Sequence, residues 1–215
     1  IPQPITKDSI NRIAIYQRIM GRTLSTSEIN IHDIDYATTF LLSLHSLSSM
    51  EESFSISPAS DACFSLHSME IIIQRRLARL LAQGSIDPQY HAMRLFLREK
   101  FIPARELIIP WSKQYALAHG ISFETELPKA YRTLSPSDFG FHNALRQKDG
   151  KIIFCDFEYF GWDDPAKMVA DFLLHPGMNL SEECQKRFVY NMCLGLPYDK
   201  NLVHRVKIAY ALLGL

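Results

Sequence analysis

The stretch from Ser135 to Glu158, SPSDFGFHNALRQKDGKIIFCDFE, gathers oxygen-bearing side chains on a short path. Asp138 and Asn143 stand before an Asp149-Gly150 pair; Asp156 and Glu158 stand after it. Asp-Gly between two apolar runs is a strong hairpin signal. Pairing ALRQ with KIIFC would bring the amide of Asn143 and the carboxylate of Asp156 to one end of the hairpin. A hard divalent cation such as Mg²⁺ takes oxygen ligands, and at phosphate sites it needs only one or two from the protein. Asn143 and Asp156 can supply them, and Asp138 can reach past the metal to a substrate hydroxyl. Asx residues are also turn formers, so an ordinary polar loop is the competing reading.

The order D-x-x-x-x-N, hairpin, Asp is the arrangement used in kinase-like phosphoryl transfer. There one Asp accepts or orients the nucleophile's proton, while the Asn and the second Asp hold metal on the nucleotide phosphates. Tyr159, Phe160 and Trp162 follow the acids directly. Core packing is a natural use for them, yet Tyr159 and Trp162 are the first candidates for substrate contacts. Asp163, beside Asp164 and Glu158, suits a cationic or polyhydroxy ligand. Other chemistries find no support. The chain lacks a G-x-S-x-G elbow and an H-E-x-x-H pair, and its eight histidines show no finger spacing with cysteine. They read as solvated or core residues, with His142 inside the loop as the exception. The basic run QRRLAR, Gln74 to Arg79, reads as a solvated helix face rather than a phosphate patch.

The elements that must position these residues are mostly helices. RIAIYQRI, from Arg12, reads as a strand ended by Gly21, followed by a polar loop. Tyr36, Phe40, Leu41, Leu44 and Leu47 recur at helical spacing, with Asp33 as candidate N-cap. Ser68 is the candidate cap of a helix over Met69 to Gln83, stopped by Gly84. Asp87-Pro88 opens another that reaches about Phe101. A helical piece lies between Pro103 and His119, interrupted near Pro110 and closed by Gly120. The chain becomes extended around Arg132 to Leu134. Two strands, Ala144 to Gln147 and Lys151 to Cys155, form the hairpin. Helices follow at about Ala166 to Leu174, Glu182 to Leu194 and Asn201 to Leu213, separated by Pro-Gly and Gly-Leu-Pro signals.

Bulk properties narrow the class of protein. Lys plus Arg and Asp plus Glu both number 23, which argues against a broad nucleic-acid or anionic-membrane surface. No apolar run approaches the roughly 20 residues needed to span a bilayer. The four cysteines, Cys63, Cys155, Cys184 and Cys193, form no C-x-x-C pair and are expected to be reduced thiols of a cytoplasmic protein. The start lacks a signal peptide and an initiator Met, and the end stops in an apolar stretch; both suggest a fragment.

At these residues the chain resembles the aminoglycoside phosphotransferase and choline kinase family, the small-molecule branch of the kinase-like fold. The loop PSDFGFHN and the strand end FCDFE resemble that family's catalytic loop and metal acid, and YFGWDDPAKMVADFLLHP resembles the segment that follows. ATTFLLSLHSL resembles the first helix of the C-terminal lobe, and IAIYQRIMGRTL the last strand and hinge between lobes. The resemblance implies an ATP-dependent transfer of the terminal phosphoryl group to a hydroxyl of a small molecule: a sugar, an amino alcohol or an aminoglycoside. It implies ATP and Mg²⁺ as cofactors, Asp138 as catalytic base, and Asn143, Asp156 and Glu158 as metal ligands. Asp171 would support the catalytic loop, and Tyr16, Gln17, Arg18 and Ile19 would contact the nucleotide. The implied fold is α+β and protein-kinase-like: mainly the helical C-terminal lobe with its catalytic hairpin, most of the N-terminal lobe being absent. Residues 1–24 would end the N-terminal lobe and form the hinge; residues 25–215 would form the helical lobe. The chain departs from the pattern in three ways. Pro136 stands where the family has a loop-bracing His, no glycine-rich loop is present, and Lys7 alone precedes the hinge. These departures favour the alternative of a weak or inactive kinase-like module that binds a nucleotide or partner.

Overall fold

The computed structural model describes residues 1–82 and 88–215. Strands β1 (Pro4–Asp8) and β2 (Ile13–Tyr16) form an antiparallel hairpin whose residues are all exposed. Strand β3 (Arg22–Thr23) then pairs with the first strand of a second hairpin, β5 (Ala144–Arg146) and β6 (Ile152–Phe154). A third small sheet joins β4 (Thr133–Ser135) to β7 (Gly161–Asp163). The helices are α1 (Ile31–Leu47), α2 (Leu66–Leu81), α3 (Pro88–Phe96), α4 (Ile102–Ala118), α5 (Pro165–Leu174), α6 (Glu182–Gly195) and α7 (Leu202–Leu213). The architecture is therefore mixed, with helices dominant and the strands confined to short ribbons.

The core forms where α5 lies against α7 and α6 against α1. Phe172, Phe188, Leu41, Met69, Ile208 and Leu212 are wholly enclosed there. Helix α5 is buried nearly all round from Pro165 to Ala170, as a central helix must be. Its neighbours present single apolar faces.

Two helix starts differ from the sequence expectation. Asn30, not Asp33, caps α1: its backbone is extended and its side chain accepts from the N–H groups of His32 and Asp33. Asp33 is the reciprocal partner, returning a bond to the Asn30 N–H at 3.0 Å. Likewise Ser65 caps α2 and Ser68 is its partner. Each pair is a capping box, in which both side chains bond the other's main chain. Pro110 does not interrupt α4, which runs through it. Pro110 and Glu106, whose carbonyl loses its helical donor, both lie on the exposed face, where water can take over that bond. Helix α3 joins α4 through a wide turn at Leu97–Phe101. The expected stop at Gln83 and Gly84 and the cap at Asp87 lie outside the described residues.

Strand β7 has a second stretch of backbone packed against it. Trp162 donates its N–H to the Ser57 carbonyl and accepts from the Ala59 N–H, so residues 57–59 run alongside the strand. A Cβ on Gly161 would strike the backbones of Ser57, Pro58 and Ala59, coming within 2.5 Å of the Ala59 nitrogen. Gly161→Ala must push two strands apart. A loss of about 2–3 kcal/mol is expected, in the range for overpacking, read as a lowered urea midpoint at unchanged slope.

Candidate active site

In the loop from Ser135 to Asn143, residues 139–141 are buried while their neighbours on both sides are partly exposed. Phe139 and Phe141 are buried, and Phe139 stacks among Phe40, Phe154 and Phe172, with ring centroids 5.5, 4.6 and 5.7 Å away. Those anchors hold the loop while Asp138 and His142 point away from the core. Ser137, in the left-handed region at φ 67°, donates its hydroxyl to the Ser60 carbonyl at 3.1 Å. Its N–H donates to the Ser135 hydroxyl. Loop bracing that Pro136 cannot provide comes partly from these two serines.

The hairpin brings the expected groups to one end. Cys155 donates its N–H to the Asn143 carbonyl at 2.9 Å, extending the β5–β6 ladder by one pair, and Asp156 is the next residue along. Gly150 closes the turn at φ 86°, a conformation glycine adopts freely. The hairpin is fixed to α1 by Arg146, whose guanidinium donates to the buried Asp33 carboxylate at 2.8 Å. Asn143 Nδ2 donates to the Asp138 carbonyl at 3.0 Å and to Asp138 Oδ2 at 3.3 Å. Its nitrogen is thus spent on the loop, which leaves Oδ1 as the free donor atom. Asp156 and Glu158 are exposed. Asp156 sits in the left-handed region at φ 63°. The Tyr159 hydroxyl is raised above its ordinary value, first by its bond to Glu158 and then by that charge and burial, with Asp156 and Asp138 adding to it.

Two clefts flank this corner. One of about 490 Å³ is lined by Asp138, Tyr159, Asp61, Arg76, Lys167 and His175, among others. Asp171 also lines it and accepts from Lys167 at 2.6 Å, so it reaches the cleft rather than bonding to the catalytic loop. A second cleft of about 510 Å³ is floored by Ile152, Ile153 and Phe154 and walled by Gln17, Ile19, Tyr36 and Phe40. Of the four expected nucleotide contacts, Gln17 and Ile19 line it; Tyr16 and Arg18 do not.

Two expected substrate contacts are elsewhere. Asp163 is fully buried. Its Oδ1 accepts the N–H groups of Cys63 and Asp164 at 3.0 and 2.8 Å, and its Oδ2 accepts Lys167 at 3.2 Å. Asp163 is thus a structural acid, closed off from any ligand. Trp162 donates its indole N–H to the Ser53 carbonyl at 3.0 Å. It faces a different cavity, of about 610 Å³, bounded by Phe54, Pro58, Phe64 and Arg132. Next to Asp163, Asp164 caps α5 through the Ala166 N–H and forms a buried ion pair with Arg205 of α7.

The residues that sequence reasoning passed over are Asp61, Arg76, Lys167 and His175. Arg76 belongs to the basic run read as a solvated face; it is exposed, yet it also lines the Asp138 cleft and pairs with Asp61 at 2.8 Å. His142 Nε2 lies 3.1 Å and His175 Nε2 3.6 Å from Asp138 Oδ1. The two rings stack at 3.7 Å between centroids and 2° between planes. Burial, and then His142, push the His175 imidazole below its ordinary value against the pull of Asp138. These three residues lie close enough to surround a metal ion, but the ring geometry disfavours it. Nitrogen lone pairs lie in the ring plane, and parallel stacked rings cannot both aim them at one ion between them. All four cysteines are unpaired. Among the described residues, no helix is long and apolar enough to cross a membrane.

No protein-family model and no curated protein matches the sequence. Solved structures do match. The ethanolamine kinase of Plasmodium vivax superposes with a TM-score of 0.57 at 15% identity, over 97% of this chain and 58% of that one. The choline kinase of Cryptosporidium parvum gives 0.56 at 17%, over 98% and 63%. The choline kinase LicA of Streptococcus pneumoniae gives 0.53 at 14%, over 97% and 61%, and its complex with AMP also matches, at 0.50. The chain spans about six-tenths of the length of these kinases. Its structural neighbours are thus choline and ethanolamine kinases, and the fold is theirs.

Proposed function

We propose that the protein is an ATP-dependent phosphotransferase that moves the terminal phosphoryl group to a hydroxyl of a small molecule. One observation carries the reading: Asn143 turns its amide nitrogen onto Asp138, which leaves its oxygen for a metal ion, and its main chain pairs with Cys155, next to Asp156. These bonds tie Asn143 to the proposed base through its side chain and to the strand leading to Asp156 through its main chain. The donor set fits Mg²⁺, because Asn143 Oδ1, Asp156 and Glu158 offer only oxygen. Bound there, the ion would neutralise charge on the nucleotide phosphates.

The chain's own residues do the rest. Gln17, Ile19 and Ile153 form an apolar-walled slot suited to a nucleobase. Asp138, facing the other cleft, accepts the proton of the alcohol as its oxygen attacks. Asp61 and Tyr159 line that cleft and suit a hydroxyl- or ammonium-bearing acceptor.

Full-length protein should bind ATP in a Mg²⁺-dependent manner by calorimetry and release ADP with a panel of amino alcohols, sugars and aminoglycosides. Asp156→Asn should raise the Mg²⁺ concentration for half-maximal turnover at least tenfold, since one charged oxygen ligand is lost. Unchanged Mg²⁺ dependence in that variant would remove Asp156 from the metal site. ATP binding with no transfer to any acceptor would favour a nucleotide-binding module instead.

A further inference from the structure

One oxygen of Asp138 is occupied by histidine, and the proposed reaction uses no histidine. Resting on the reading of Asp138 as proton acceptor, we infer that His142 is its positioning residue: it holds Oδ1 by N–H donation and leaves Oδ2 to take the alcohol's proton, with His175 clamping the His142 ring.

The donor assignment follows from chemistry. A carboxylate oxygen only accepts, so the 3.1 Å approach of His142 Nε2 to Oδ1 requires the proton on Nε2. The opposite tautomer would set two lone pairs against each other. It would also leave an N–H stranded at Nδ1, which is buried and has no partner among the described residues. His175 is oriented independently. Its Nδ1 accepts the Gly177 N–H at 3.1 Å, so the neutral ring carries its proton on Nε2, the edge turned to Asp138. At 3.6 Å that edge supports the carboxylate by its dipole rather than by a full hydrogen bond. The parallel stack at 3.7 Å fixes the plane of His142.

Oδ2, in contrast, receives among the described residues only the longer 3.3 Å contact from Asn143, and Asp138 lines the cleft. One oxygen is therefore held and the other is available. The backbone makes room for this arrangement: a Cβ on Gly140 would lie 2.7 Å from His142 Nδ1. A ring that leaves one buried nitrogen unsatisfied is a poor choice for packing alone. Pro136, with neither an N–H nor a polar side chain, gives Asp138 no hydrogen bond of its own.

The test compares His142→Gln, which keeps a side-chain N–H donor, with His142→Leu, which does not, in the full-length protein. The readouts are Mg²⁺-ATP turnover to ADP, melting temperature, and long-range ¹⁵N–¹H spectra of the histidine rings. His142→Leu should lower kcat on the order of tenfold to a hundredfold, as loss of an orienting partner does, with KM for ATP within about twofold. His142→Gln should recover most of that loss. In the spectra His142 should be the Nε2–H tautomer, and Asp138→Asn should shift its signals. Parental kcat in His142→Leu, equal losses in both variants, or an Nδ1–H tautomer would overturn the inference. If instead Asp138→Asn turns over as fast as the parent, the reading of Asp138 as proton acceptor fails, and the tautomer still decides whether this bond exists.

Discussion

Asp138→Asn is expected to reduce phosphoryl transfer by about 10²- to 10⁴-fold, the usual worth of a positioned general base, while ATP binding changes little. The amide is isosteric, so Phe139 and Phe141 still seat the loop, and Asn143 Nδ2 still finds the residue-138 carbonyl. What disappears is the only group on this loop that can take a proton while facing the cleft. Asp156 and the slot lined by Gln17 and Ile19 are untouched, and Asn143 keeps its bond to the residue-138 carbonyl. The effect should therefore fall on kcat rather than on the dissociation constant for ATP. Single-turnover kinetics beside calorimetric binding separate the two quantities. Parental turnover in this variant would remove Asp138 from the chemistry.

Lys167→Met is expected to cost about 3–5 kcal/mol of stability, the range for removing one partner of a buried ion pair. Lys167 lies between Asp163, which is wholly buried, and Asp171. Burial works against the Lys167 ammonium, but the two carboxylates overcome it and raise the group above its ordinary value. Burial likewise pushes the Asp163 carboxyl up to about 6, even with Lys167 and two backbone N–H groups opposing it. The sign of the pH effect follows. The unfolded carboxyl loses its proton near 4 and the folded one near 6, so this group's contribution is present below 4 and is lost as pH rises through 6. Without the ammonium the folded value climbs further. The deficit of the variant should thus be smallest near pH 4 and grow towards neutrality. Asp163→Asn added to Lys167→Met should return part of the loss. Urea unfolding of the single and double variants across pH 4–8 measures this, and a deficit independent of pH would show that packing, not charge, sets the cost.

The parts of the site that the sequence made legible are local. Asn143 and Asp156 are thirteen residues apart across one Asp-Gly turn, and strand pairing over that distance leaves little choice of geometry. Trp162 and Asp163 were misjudged for the opposite reason. Their environment comes from the pairing of β7 with β4 and with residues 57–59, contacts that no nearby pattern announces. His175 was invisible in the same way, since its meeting with His142 depends on how the end of α5 returns to the loop. The helix caps failed on a finer point. In S-x-x-S and N-x-x-D both side chains bond each other's backbone, so only the extended φ and ψ reveal which one stands outside the helix. Helices α5, α6 and α7 were read nearly to the residue, because Asp164-Pro165, Pro176-Gly177 and Gly195-Leu196-Pro197 are unambiguous punctuation.

The left-handed backbone at Asp156 sets thermal robustness against chemistry. Glycine would relieve roughly 1 kcal/mol there, and no neighbour needs the side chain for packing, since the residue is exposed. A screen that rewarded heat resistance alone would accordingly drift this position to glycine. It would yield a sturdier protein whose phosphate corner had lost one of its two anionic ligands, with nothing in its melting curve to signal the loss.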